Sequence, residues 1–226
     1  MDSSKIDLSK INIFVYEIIQ FYTNYKADFI WRKLESVWQI LLTEIILQKT
    51  NASKVVNFIN EFLRKCNTPY NTLTVPTEEL KFILKPFGMS TVKAVRIKTI
   101  AEIVVNKWGG VVPCDKEQLM QLPGVGDYIS DAVMCFGFGC DRAVVDVNTI
   151  RVITRYFGIQ SNFARPRYDK KLYSFIQSLV PEGKCKEFNW GIIDLSHYVC
   201  RGNPKCLNCV IKEHCSFFNN FSTILI

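Results

Sequence analysis

Apolar residues recur at intervals of three and four along most of this chain, the spacing that gives a helix one buried face. Ile13 to Thr23 is a first amphipathic segment. Leu34 to Gln48 carries Val37, Trp38, Leu41, Leu42, Ile45 and Ile46 in phase, and Ala52 to Leu63 carries Val55, Val56, Phe58, Ile59 and Phe62. A short helix from Thr77 to Leu84 stops before Pro86. A long one from Thr91 to Trp108 ends at Gly109-Gly110, where glycine suits a helix stop. Asp115 to Gln121 and Tyr128 to Phe136 form a pair around a turn, and Val147 to Phe157, Tyr168 to Leu179 and Cys185 to Val199 complete the pattern. Strict alternation is almost absent. The apolar pieces Phe136 to Phe138 and Ala143 to Val145 could be read as a strand, but they are too isolated to build a sheet. The fold class expected is all-α.

A chain of 226 residues is long enough to bury a substantial core, and no repeat, low-complexity tract or linker divides it. The first residues lack the basic start and apolar stretch of a secretory signal, and no later run is long enough to span a membrane, so an intracellular protein of the cytoplasm or nucleoid is expected. Lysine and arginine exceed aspartate and glutamate by 28 to 21, a net charge of +7 that suits a polyanionic partner without requiring one. Nine cysteines are many for a reducing compartment, which turns attention to metal ligation.

Four of them, Cys200, Cys206, Cys209 and Cys215, follow one another as C-x5-C-x2-C-x5-C. Four thiolates this close make a tetrahedral sulfur site, for which zinc and an iron-sulfur cluster both qualify. Cys66, Cys114, Cys135, Cys140 and Cys185 are scattered and read as small core residues. A second constellation is Leu122-Pro123-Gly124-Val125-Gly126-Asp127-Tyr128. Its two glycines make a tight turn between helices, with backbone amides that a phosphate can approach. Eighteen residues after Tyr128 comes Asp146, which by itself reads as the cap of the next helix. Taken together, a turn that holds one sugar of a strand and a carboxylate that stabilises positive charge fit cleavage of a base from deoxyribose.

The order of these motifs resembles the helix-hairpin-helix DNA glycosylases of the endonuclease III superfamily over roughly residues 28 to 216. The resemblance implies a six-helix barrel carrying the hairpin (28–141) and a second helical domain from the two ends of the chain (1–27 and 142–226), with a DNA cleft between them. It also implies a [4Fe-4S] cluster on the four cysteines, which selects iron over zinc, although the family's first spacing is usually one residue longer. A lysine stands at the Tyr128 position in the strand-cleaving members. Tyr128 cannot form a Schiff base, so a monofunctional enzyme is implied, with Asp146 stabilising an oxocarbenium-like state. Thr43 to Thr50 and Asp146-Val147-Asn148 resemble the adenine glycosylases of the MutY type and the Mig-type thymine mismatch glycosylases. Both carry a glutamate at the Glu44 position, where an apolar setting should raise the pKa and suit it to protonate a leaving base.

Ala132 to Cys135 and Arg155 to Gly158 look closer to the Mig type, and the additional C-terminal domain of MutY enzymes has no counterpart here. Removal of thymine or uracil opposite guanine is therefore favoured. An adenine glycosylase and a non-catalytic iron-sulfur DNA-binding module remain the alternatives. By the same resemblance Gln48, Lys49 and Met89 lie where side chains enter the duplex, Gly124, Val125 and Gly126 grip its backbone, and Asn148 also faces DNA. Lys93, Arg96, Lys98, Lys205 and Lys212 are candidates for phosphate contacts. The expected partner is double-stranded DNA with a mismatched or damaged base, bound by a monomer with no membrane association.

Overall fold

The computed structural model describes residues 7–50, 56 and 58–222, and among these there are helices and turns but no strands. The α-helices are α1 (Leu8–Tyr25), α2 (Val37–Leu47), α3 (Ile59–Lys65), α4 (Pro69–Thr74), α5 (Thr77–Ile83), α6 (Ser90–Trp108), α7 (Lys116–Leu119), α8 (Asp127–Ala132), α9 (Val147–Phe157), α10 (Lys170–Ser178), α11 (Cys185–Tyr198) and α12 (Ser216–Ser222). No described helix is long and apolar enough to cross a membrane. The N-terminal part of the helix predicted over 52–63 lies outside the described residues.

The chain divides into two compact units, residues 28–138 and residues 1–27 with 139–226. In the first unit, α2 is buried on almost every side, with Trp38, Ile40, Leu41, Leu42, Ile45 and Ile46 at 5% exposure or less. Its indole is satisfied where it is buried, the Trp38 Nε1–H donating to the Cys66 carbonyl at 3.0 Å. α6 supplies Ala94, Ile97, Ile100, Ala101 and Val104 to the same core and stops at Gly109, whose φ of 59° is the left-handed cap a glycine provides freely. The helix predicted over 128–136 begins as α8 and then widens into a π turn over Val133–Gly137, closed by the Phe138 N–H on the Val133 carbonyl.

The second unit forms from both ends of the chain. Phe14 and Ile18 of α1 are fully buried, and the Phe14 ring packs 4.7 Å from Tyr156 and 5.2 Å from Phe157, both of α9. α11 approaches α1 so closely at Gly191 that a β-carbon there would stand 2.6 Å from the Ile18 carbonyl oxygen. The extended stretch ahead of α9 has no neighbouring strand, so side chains satisfy its backbone. Gln177 Oε1 accepts from the Ala143 N–H at 3.0 Å, Asn189 Oδ1 accepts from the Val144 N–H at 2.8 Å, and Thr149 donates to the Val144 carbonyl at 3.0 Å. Those three bonds fix the backbone that delivers Asp146.

Candidate functional site

The hairpin is α7, the turn over 120–126 and α8. Its apolar residues are anchors, since Leu119, Leu122, Val125 and Ile129 are all buried. Between them the Val125 N–H closes the turn on the Leu122 carbonyl at 3.1 Å. Gly124 has φ +80°, and a β-carbon there would stand 2.5 Å from the Arg96 guanidinium. Gly126 is the N-cap of α8 with extended backbone, and a β-carbon there would meet nothing. No side chain caps α8, whose N-cap Gly126 is exposed and lies at the positive end of the helix dipole. Lys116 braces the helix through Asp127 (3.1 Å) and Asp131 (2.9 Å).

Gln48 is tied to this turn. Its Nε2 donates to the Gly124 carbonyl at 3.1 Å, and its Oε1 accepts from Arg96 Nη1 at 2.8 Å. Two expected phosphate ligands on α6 are also committed elsewhere. Lys98 donates to the Leu73 carbonyl at 2.7 Å, and Lys93, 2% exposed, is a core residue. Burial, with Arg96 adding to it, pulls the Lys93 ammonium from 10.5 down to about 8, which leaves it charged at neutral pH. Lys205 is exposed, whereas Lys212 bonds the Leu207 carbonyl at 3.1 Å. Lys49 and Met89 are both exposed. Glu44, on α2, and Tyr128, on α8, are half-buried in the same unit.

Asp146, half-buried, stands in the other unit as the N-cap of α9. Its Oδ1 accepts from the Asn148 N–H (2.9 Å) and the Thr149 N–H (2.8 Å), and its Oδ2 accepts from Asn148 Nδ2 at 2.7 Å. The carboxylate is thus held in one orientation by a helix end. A connection absent from the sequence reading continues from there. Asn148 Oδ1 accepts from Arg151 Nη2 at 3.0 Å, and Arg151 Nε donates to the Cys200 carbonyl at 2.8 Å. The only local signal for it was Arg151 one helical turn after Asn148.

Cys200, Cys206, Cys209 and Cys215 are thiols outside any disulfide and line one pocket of about 20 Å³. Val152, Tyr156, Ile211 and Phe217 form its apolar walls, and Arg155 donates from Nη1 toward Cys200 Sγ at 3.5 Å. Burial pushes the Cys209 thiol up to about 12 and raises Cys206 and Cys215 as well. Among the described residues no three Cys, His, Asp or Glu side chains close on a single ion. Of the other five cysteines, Cys66, Cys135 and Cys185 are buried as expected, Cys140 is half-buried, and Cys114 is exposed rather than in the core.

Residues 42–178 match the family described as the HhH-GPD superfamily of base excision DNA repair proteins. The chain is 38% identical over 216 residues to the thymine/uracil-DNA glycosylase of Methanothermobacter thermautotrophicus, covering 95% of this chain and 97% of that protein. It is 27% identical to the adenine DNA glycosylase of Buchnera aphidicola, covering 92% of this chain but 59% of that protein. A solved structure of a thermostable thymine-DNA glycosylase superposes with a TM-score of 0.88 at 37% identity, covering 94% of this chain and 98% of the other.

Proposed function

Because this chain belongs to the HhH-GPD superfamily of base excision DNA repair proteins, we propose that it is a DNA glycosylase releasing thymine or uracil mispaired with guanine. The observation that carries this reading is Asp146, a carboxylate fixed by three hydrogen bonds at the start of α9. In the reaction the C1′–N1 bond breaks, the bonding electrons leave with the base, and positive charge develops at C1′ and the ring oxygen. Asp146 stabilises that charge. Glu44 gives a proton to the departing base, water adds its hydroxyl at C1′, and the water's second proton is lost to solvent. Tyr128 has no amine to attack the sugar, so an abasic site is left and the strand is not cut.

The amides around Gly126 grip a phosphate, and Lys49 and Met89 fill the space left by the extruded base. Opening costs a few kcal/mol, least at a mispaired step, which favours mismatches before any base contact is made. The four cysteines would hold a [4Fe-4S] cluster. All four line one pocket with apolar walls, and four cysteine thiolates are the donor set such a cluster takes. Bound there, the cluster would supply covalent closure of the loop around Cys200 to Cys215.

The decisive experiment is a panel of duplexes carrying G:T, G:U, A:G and A:8-oxoguanine, treated with protein and then with alkali. Release from G:T and G:U is expected, with no covalent adduct on borohydride treatment. Cleavage confined to the adenine strands would reassign the substrate, and an efficient trapped adduct would remove the monofunctional mechanism.

The two turn glycines separate binding from folding. Gly126→Ala should cost at most about 1 kcal/mol of stability. It should weaken duplex binding roughly 10- to 100-fold, because the added methyl holds the phosphate off the backbone by about the worth of one charge-assisted amide–phosphate bond. Gly124→Ala should instead cost about 1–2 kcal/mol in stability, because a side chain at its positive φ is strained and meets Arg96. Thermal melts beside fluorescence anisotropy distinguish the two, and equal effects of both variants on stability would contradict the assignment of Gly126 to binding.

A further inference from the structure

Lys93 lies on the first turn of α6 with 2% of its surface exposed, a rare position for a lysine. Its Nζ donates to the carbonyls of Ile46 (2.6 Å) and Phe87 (2.7 Å) and to Thr50 Oγ1 (2.8 Å), one acceptor for each ammonium hydrogen. The single Thr50 hydroxyl hydrogen has the Phe87 carbonyl at 2.7 Å as its nearest acceptor, with those of Ile46 at 3.0 Å and Gln48 at 3.1 Å. These acceptors belong to two separate segments, the end of α2 and the turn that enters α6. Lys49 and Met89 lie on those same segments. They are the non-glycine residues with positive φ among those described, at 54° and 53°, and both are exposed. L-residues hold that conformation only where their surroundings over-determine it.

We propose that Lys93 is a positioning residue that locks the two segments together, so that Lys49 and Met89 enter the duplex as a pair when a mispaired base is extruded. A buried ammonium that loses either segment keeps an unsatisfied donor, so neither segment moves without the other. Arg96, one turn further along α6, extends the brace through Gln48 to Gly124 of the hairpin. The inference rests on the glycosylase reading above and assigns work to residues that touch no DNA.

The test compares Lys93→Met, Lys93→Arg and Thr50→Val in the full chain, at a temperature where circular dichroism shows each variant folded. Base opening is read from 2-aminopurine fluorescence beside a G:U pair, and excision from single turnovers on that duplex and on uracil in a single strand. Lys93→Met should slow opening and duplex excision by about tenfold or more, and single-strand excision by less than about twofold, since only the duplex step needs the paired probes. In a Lys49→Ala/Met89→Ala background it should add less than about twofold, because residues acting through one another are not additive. Lys93→Arg should recover most of the loss. Should Lys93→Met not fold, Thr50→Val carries the test, with about a threefold loss confined to duplex excision. Equal losses on duplex and single strand, or an undiminished effect in the double-alanine background, overturn the proposal. A wild-type protein that opens the duplex yet excises uracil from neither substrate would remove the glycosylase reading and leave the fluorescence arm to decide Lys93.

Discussion

Replacing Asp146 by Asn is expected to slow base release on the order of 100- to 1,000-fold while leaving the fold in place, the loss seen when one group facing developing charge is removed. Asn retains an oxygen for the Asn148 and Thr149 amides and ranks with Asp as an N-cap, so stability should change by less than about 1 kcal/mol. What disappears is the negative charge, together with the acceptor for Asn148 Nδ2. Single-turnover excision on a G:U duplex measures the rate and a thermal melt measures the fold, with anisotropy confirming unchanged binding. If the variant retained full activity, cation stabilisation by Asp146 would be the wrong mechanism. Asp146→Ala, which loses the cap as well, should add about 1 kcal/mol of instability to the same kinetic defect.

Cys209→Ala is expected to abolish the visible absorption of the purified protein, to reduce its iron from about four atoms per chain, and to cost about 3 kcal/mol or more of stability. That cost corresponds to a fall in Tm of roughly 10 °C for a chain of this size. The reason lies in the local structure. Between α11 and α12 the backbone makes two short 3-10 turns, at Cys206–Asn208 and Lys212–His214, and little of it reaches the core. Such a segment has few contacts of its own to offset the entropy of ordering it. Cys114→Ala, at an exposed position remote in sequence from the four, should change neither iron nor Tm. One zinc ion per chain and no iron would overturn the cluster assignment.

Where the chain carries local signals the structure follows them closely. α9 runs over the predicted Val147 to Phe157 because Asp146 caps one end and Gly158, at φ 70°, closes the other. α6 likewise ends at its glycine. α4 went unseen, although Thr68 and Pro69 form a good cap and first position, because a six-residue helix burying Pro69 and Thr72 shows no periodicity. The π turn was illegible for the opposite reason, since Val133 to Phe136 are all buried and a uniformly apolar run carries no phase.

Among the site residues, the cysteines and the glycine turn were legible because their chemistry depends on spacing along the chain. The burial of Lys93 and the bonds of Gln48 to the hairpin were not. A single lysine on an amphipathic helix reads as a surface charge, and the acceptors that bury this one come from residues 46, 50 and 87. The route from Asp146 through Asn148 and Arg151 to Cys200 was hidden in the same way, as its last bond spans 49 positions.

The division of the chain also sets an order of synthesis. Residues 28–138 are contiguous, so the hairpin and the paired side chains at 49 and 89 are complete once that stretch leaves the ribosome. The unit holding Asp146 needs α1, made first, and α11, made near the end, to meet around Gly191. The hairpin-bearing unit is therefore complete in the growing chain before the carboxylate of Asp146 is positioned. On the proposed function, a stop between residues 139 and 184 should leave a chain that binds a duplex without releasing a base, which binding and excision assays on the truncated chain would check.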